Sequence, residues 1–506
     1  MIATAWSLLP PLVALVSALS TRRVLPSLAA GGLCGALLLA LEHEPAPVAL
    51  PLGVIHFVQV GILGRVSEPA NAQVLVLIAL ISGFVRALEV SGAARGLTSS
   101  LTAIATSPAR AQLATWLSGL LLFFSDLGNI LILGPLFRPL YDRMDLPRER
   151  LAWIIDTTAA PVSVMIPVIS WGVYIIGLIE ATEEGADGLQ IFLDALPFQI
   201  YPLLSLLFVP LMVIIGRPWG PMARVWPRPD VVDTRPRAAP DGLGPGAALV
   251  PLGLLFVVGL GVGLHQLALE GQLTGAGIRL SLASAYLAAL LALLAILAPH
   301  GRSRRAIDAF QEGLGRATPL VVLLIFAWTL GEVCSGLGTG PYLARLLGPR
   351  VPAPLLPALV FGIGAIISFA TGTSWGTFAI LVPLALPLAM DLQLPVPVIV
   401  GAVLSGGVLG DHCSPISDTS LLASASAGSA HGAHIATQLP YALAVGLASL
   451  LAFGIAGATG SAWSLGSGAV VLLGVALASR WIRAHDPTGG DAATGDERGR
   501  RPDAHG

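Results

Sequence analysis

Two stretches of this chain, 112–141 and 354–390, are apolar, about 30–37 residues long, and interrupted midway by a polar, glycine-containing run. The interruptions are Ser125-Asp126-Leu127-Gly128-Asn129 and Thr371-Gly372-Thr373-Ser374. Arms of about 14 residues fall short of the roughly 20 that a helix needs to cross a hydrocarbon core. Each stretch is therefore expected to enter and leave a bilayer on one side, as a re-entrant hairpin. The rest of the chain suits that setting. Hydrophobic residues make up 55% and charged residues 11%, against about 25% charged in soluble domains. Single spans are expected at 7–19, 24–41, 72–90, 151–179, 198–215, 247–265, 279–297, 317–334, 397–427, 434–456 and 463–481. Backbone in lipid has to satisfy its own hydrogen bonds, and spans of this length do so as helices. The fold class is an all-α polytopic membrane protein of a cell inner membrane.

The chain has no lysine, so its 27 basic residues are all arginine, and arginine marks cytoplasmic loops. Arg22 and Arg23 follow the first apolar run. That order suits a transmembrane helix with its N-terminus outside, not a signal peptide. Arg95 and Arg110 before the first interrupted stretch, and Arg138, Arg143, Arg148 and Arg150 after it, put both its ends inside. The loop 180–194, with Glu180, Glu183 and Glu184, is acidic and free of arginine, as an outer loop should be. The linker 217–245 is rich in arginine and proline and falls inside, as do Arg302, Arg304, Arg305 and Arg316. Arg345 and Arg350 fall outside and are the exceptions. The tail 483–506 reads as a disordered cytoplasmic end.

The chain also repeats. Asp156-Thr157-Thr158-Ala159-Ala160-Pro161-Val162-Ser163 is similar to Asp411-His412-Cys413-Ser414-Pro415-Ile416-Ser417, each some thirty residues beyond an interrupted stretch. Both halves read as three helices, a hairpin, a broken helix (151–179 and 397–427) and one more helix. Five crossings per half is odd, so the second half is inverted. The halves are 1–216 and 246–456, with an extra helix at 463–482. Inverted repeats with paired broken segments point to a secondary transporter whose site lies at the repeat interface.

Chemistry concentrates in Asp411 to Asp418, between uncharged flanks. Ionisable groups at membrane depth are costly and mark ion or proton pathways. Pro415 removes a backbone donor and frees carbonyls one turn back. With Asp411, Asp418, Ser414 and Ser417, those carbonyls make a hard, oxygen-rich site suited to Na⁺ at Asp411 and neighbouring oxygens. Asp156 and Thr157 hold the matching place in the first half. Asp126 and Asn129 at the first tip, and Thr371, Thr373 and Ser374 at the second, are positioned to complete a shell. For each aspartate the plainer alternative is a helix cap or tip-turn bond. His412 and Thr419 are accessory, and His412 orients neighbours or carries a proton. Glu332 reads as a solvated or paired carboxylate. Cys34, Cys334 and Cys413 are too far apart for a disulfide framework or a zinc site, and no cofactor is implied. The net charge of −2 identifies no partner, and no reading involves nucleic acid.

The run Gly410-Asp411-His412-Cys413-Ser414-Pro415-Ile416-Ser417-Asp418-Thr419, with Thr437-Gln438-Leu439-Pro440-Tyr441-Ala442 downstream, resembles the signature of the NhaC family of Na⁺/H⁺ antiporters. Asp156-Thr157-Thr158-Ala159-Ala160-Pro161-Val162 resembles its first-half counterpart. Ala370 to Gly376 and Leu337 to Gly340 match further stretches, and the likeness runs from about Phe57 to Ala456. At Ser125 many relatives carry a second acidic residue beside Asp126. The resemblance implies a transport domain moving against a scaffold, often in a homodimer. It also implies export of Na⁺ in exchange for H⁺, the two competing for buried carboxylates. Some members exchange small organic acids, such as malate against lactate, or amino acids, so a Na⁺/H⁺-coupled exchanger is the alternative. The absence of arginine at either tip argues against a dianion. An intramembrane aspartyl protease fits poorly, because Val408 stands where its motif has glycine. A channel fits the doubled, inverted halves less well than alternating access does.

Overall fold

The computed structural model describes residues 2–96, 102, 105–183, 185–225, 243–271 and 274–481. The tail expected at 483–506 and most of the linker expected at 217–245 lie outside the described residues. Among those described, every regular element is a helix. Ten helices are long and apolar enough to cross a membrane, or 11 if the pair Gly188–Phe198 and Ile200–Ile214, bent by 43°, counts as one span.

The chain starts with α1 (Leu9–Thr21), α2 (Val24–His43), α3 (Ala46–Ser67) and α4 (Pro69–Val90). Helix α3 was not expected as a span. Pro45, Pro47, Pro51 and Gln59 interrupt its apolar run, yet Pro47 lies in the first turn, where no donor is lost. Its second half, Phe57–Gly64, is wound as a π-helix. Only 17% of its apolar window is buried, so Leu50, Ile55 and Leu63 face outward, as lipid contact requires. Next come α5 (Pro108–Leu121), α6 (Asp126–Arg143), α7 (Arg148–Thr157), the short α8 (Ala160–Ser163), α9 (Ser170–Thr182), α10 (Gly188–Ala195) and α11 (Ile200–Ile214).

Beyond the linker are α12 (Gly246–Glu270), α13 (Gly275–Leu297), α14 (Ser303–Arg316), α15 (Thr318–Gly336) and α16 (Thr339–Leu347). Arg304, Arg305 and Arg316, expected in an inner loop, belong to helix α14. Then follow α17 (Leu356–Thr371), α18 (Ser374–Asp391), α19 (Val396–Cys413), α20 (Asp418–Ala427), α21 (His431–Thr459) and α22 (Ser464–Ala478).

Both interrupted stretches fold back on themselves. The Thr115 and Tyr141 hydroxyls, 26 residues apart, hydrogen-bond at 3.2 Å, where a continuous helix would hold them roughly 39 Å apart. A Cβ on Gly364 would lie 3.3 Å from Leu381 Cδ1, so α17 and α18 also run back along each other. The arms are longer than the sequence suggests: α17 has 16 residues and α18 has 18. At 1.5 Å per residue, α18 measures about 27 Å.

Helix α19 occupies the centre, with 89% of its apolar window buried. It packs on α17 through Gly406 and Gly410. A Cβ at either would overlap the Phe361 or the Ala365 carbonyl, so small residues allow the backbones to approach, as in other membrane helix pairs. This close seam brings the end of α19, where Asp411 lies, against the tip of the α17–α18 hairpin.

Candidate functional site

Asp411 lies in the last turn of α19, and the chain breaks at Ser414 to Ser417 before α20 begins at Asp418. Ser374, the first residue of α18, donates its hydroxyl to Asp411 Oδ2 at 2.9 Å. The other carboxylate oxygen, Oδ1, is buried with no hydrogen-bond partner among the described residues. Asp411 borders a cavity of about 860 Å³ that is also lined by Asp126, Asp418, Thr371, Thr373 and Thr419. Both hairpin tips therefore reach one space, facing both ends of the second break.

Local helix chemistry fixes these groups. Ser417 caps α20, accepting from the Ser420 amide at 3.4 Å, and meets the Thr419 hydroxyl at 2.9 Å. Asp418 Oδ1 accepts from the Thr419 amide at 3.0 Å, the stabilising place for a carboxylate at a helix N-terminus. Asp126 stands likewise at the start of α6, its Oδ1 accepting from the Leu127 amide at 2.8 Å. Ser414 donates to the Phe369 carbonyl at 2.7 Å and ties the break to the hairpin. Thr371 donates back to the Ile367 carbonyl at 2.8 Å.

Other expected residues form a second cluster. Asp156 lies one residue before the end of α7, buried. Its Oδ2 accepts from Ser420 Oγ at 2.8 Å and Gln438 Nε2 at 2.7 Å, with His434 Nε2 at 3.4 Å. Thr157 Oγ1 is 3.3 Å from His412 Nε2, and the Tyr201 hydroxyl is 2.7 Å from His412 Nδ1. His412 thus turns toward the first half, away from Asp411. Asn129 lies beneath the tip: its Nδ2 donates to the carbonyls of Gly119 and Thr158, at 2.8 and 2.9 Å, and staples the first hairpin to the first break. Glu332 pairs with Arg65.

Sequence reasoning missed several neighbours. Arg22 and Arg23, from the turn between α1 and α2, and Arg316, from the end of α14, line the cavity with Trp171 and Trp375. Arginine is absent from the tips but present around the site, which removes the argument against an anionic cargo. His434 and Gln438 lie four apart on α21, and with Thr437 and Tyr441 they form a polar stripe at helical spacing on an otherwise apolar helix. That stripe was the available signal. Ser125 donates to Glu89 Oε1 at 2.7 Å, so α4 supplies an acid to the first tip from outside its own sequence. Among the described residues, no group of three or more His, Cys, Asp or Glu is placed to hold a metal ion.

Comparison with known proteins agrees with this architecture. The chain is 31% identical over 481 residues to an uncharacterized protein of Haemophilus influenzae, covering 90% of this chain and 91% of that one. It is 33% identical over 121 residues to the malate-2H⁺/Na⁺-lactate antiporter of Bacillus subtilis, 23% of this chain and 25% of the relative. The crystal structure of the Alcanivorax borkumensis YdaH transporter matches its fold with a TM-score of 0.56 at 16% identity, over 81% of this chain and 89% of that one. The Na⁺/H⁺ antiporter family matches residues 70–168 and 162–458. A multi-pass helical membrane protein with carboxylates gathered at its broken helices, this chain belongs to the Na⁺/H⁺ antiporter family.

Proposed function

We propose that the protein exports Na⁺ in exchange for H⁺ by competition at Asp411. One observation carries the reading: Asp411 Oδ1 is buried and unpartnered, in a residue that lines a cavity shared with Asp126 and Asp418. A buried carboxylate oxygen without a donor is costly. Either a proton or a small hard cation relieves that cost, and the two exclude each other. Ser374, Thr371, Thr373 and Thr419 offer further hard oxygens, the ligands Na⁺ prefers. With α2, α3 and α4 as the first three spans and α1 a shorter apolar helix before them, the halves 1–216 and 246–456 keep five crossings each and act as inverted repeats. The two hairpins and the broken helices cross the barrier together against the remaining helices. Everted vesicles carrying Asp411→Asn test this directly: Na⁺-driven dissipation of ΔpH should vanish, and wild-type activity would sink the assignment.

A second reading is favoured by the arginines. A cavity of about 860 Å³ bordered by Arg22, Arg23 and Arg316 has room and charge for a small organic acid or amino acid exchanged with Na⁺ and H⁺. Thermal-shift screening with Na⁺, malate, lactate and amino acids separates the readings. Stabilisation by Na⁺ alone supports the first, and by a carboxylate the second.

A further inference from the structure

We propose that Asp156 and His434 form a dyad that carries one proton of the transport cycle and takes no Na⁺. The inference rests on coupled Na⁺/H⁺ exchange at Asp411 and assigns a separate proton site beside it. Four elements build the dyad: Asp156 ends α7, Ser420 comes from α20, and His434 and Gln438 come from α21, with the His412 carbonyl of α19 beneath. Both members are buried, Asp156 2% and His434 0% exposed, and neither borders the main cavity.

The atoms presented to Asp156 Oδ2 favour a proton over a cation. Ser420 Oγ and Gln438 Nε2 point hydrogens at it, and His434 Nε2 stands at 3.4 Å. Na⁺ requires lone pairs, and these neighbours offer donors. A proton meets the opposite situation. Both ring nitrogens of the buried His434 lack a hydrogen-bond partner among the described residues, and Nε2 is the one that faces Asp156 Oδ2, at 3.4 Å. A carboxylate at that distance favours the tautomer with Nε2–H, which leaves Nδ1 the basic nitrogen. Protonation of Nδ1 makes an imidazolium whose charge Asp156 balances, and a buried charge persists only when so paired.

The dyad is wired to the cation site. Gln438 Nε2 has two hydrogens. One goes to Asp156 Oδ2 at 2.7 Å and the other to the His412 carbonyl at 2.6 Å, one residue beyond Asp411. A proton that draws Asp156 toward His434 loosens this clamp on the end of α19. Other titratable groups near Asp156 are His412, Asp411 and Cys413 on α19, Asp418 on α20 and Tyr201 on α11. His412 already has both ring nitrogens engaged, by Thr157 and Tyr201, which leaves His434 Nδ1 as the open position.

The test is the H⁺:Na⁺ coupling ratio in proteoliposomes, read from reversal potentials, for wild type, Asp156→Asn and His434→Gln. Each variant should move one proton fewer per Na⁺ while Na⁺ binding to the purified protein changes little. An unchanged ratio in both overturns the proposal. A measurement on wild type covers variants that fail to fold. NMR of nitrogen-labelled histidine, with a soluble relaxation agent to mark exposed rings, should find a shielded imidazole that gains a proton as the medium is acidified. No shielded imidazole changing state overturns the dyad. If wild type shows no Na⁺-dependent proton flux, the antiport reading fails, and the NMR result still decides the dyad.

Discussion

Two aspartates end two broken helices, and their surroundings differ. Asp156 is enclosed: its Oδ2 receives Ser420 and Gln438, and His434 stands beside it. Asp411 has Ser374 on one oxygen and, among the described residues, no hydrogen bond on the other, and it borders a cavity with two more carboxylates and three arginines. Similar sequence thus gives a carboxylate oxygen crowded by donors in one half and a bare one in the other. In the proposed cycle the first holds a proton together with His434, and the second is where exchangeable cargo gains most free energy.

The largest effect expected from this contrast is loss of exchange in Asp411→Asn, against retained exchange at an altered ratio in Asp156→Asn. Equal losses in everted vesicles would erase the functional difference. Next is Gly410→Leu, whose side chain has to displace the Ala365 carbonyl. Overpacking of this kind costs about 1–3 kcal/mol or more, and monodisperse protein should be lost on size-exclusion chromatography. Stability should rank the aspartates in reverse. Asp156→Ala strands Ser420 and one Gln438 hydrogen and costs about 2–4 kcal/mol, whereas Asp411→Ala leaves Ser374 the Gly407 carbonyl at 3.2 Å and costs about 1 kcal/mol. Thermal unfolding in detergent reads that order. Smallest is Ser374→Ala, which removes one hydrogen bond worth about 0.5–1.5 kcal/mol and should raise the KM for Na⁺ roughly two- to tenfold. Arg316→Gln sharpens the comparison from the cavity side: it should abolish any thermal shift caused by malate and leave a shift caused by Na⁺ in place.

Much of this was legible in the sequence. The polar interruptions at Ser125 to Asn129 and Thr371 to Ser374 located both hairpin tips, because polar runs inside apolar stretches have few other uses in lipid. The octet from Asp411 to Asp418 marked the second break and the candidate site beside it for the same reason. Helix α3 was not legible: its prolines and Gln59 resemble a loop, and the lipid-facing burial that keeps it helical shows only in three dimensions. Arg22, Arg23 and Arg316 were read as loop charges, since spacing along the chain does not reveal that two distant turns meet at one cavity. Asn129 was read as able to complete a coordination shell. Its Nδ2 also matches two carbonyls, Gly119 and Thr158, freed where helices end, a match that depends on tertiary position, while its Oδ1 stays buried without a partner among the described residues.

The junction at Arg316 has an electrical consequence. Helix α15 has 19 residues, about 28 Å of rise, which is close to the thickness of a hydrocarbon core. Arg316 at its foot, with the exposed Arg22 and Arg23, therefore stands where the low-dielectric slab begins. An ion that enters the cavity past these residues reaches Asp411 through a wet, charged vestibule that supports little potential drop. Most of the membrane voltage then falls across the packed side of α19. One charge moved through a full field of 100 mV is worth about 2.3 kcal/mol. Under the proposed exchange at Asp411, that work is concentrated in the step by which the loaded site changes sides, so voltage should alter the reorientation rate more than Na⁺ affinity.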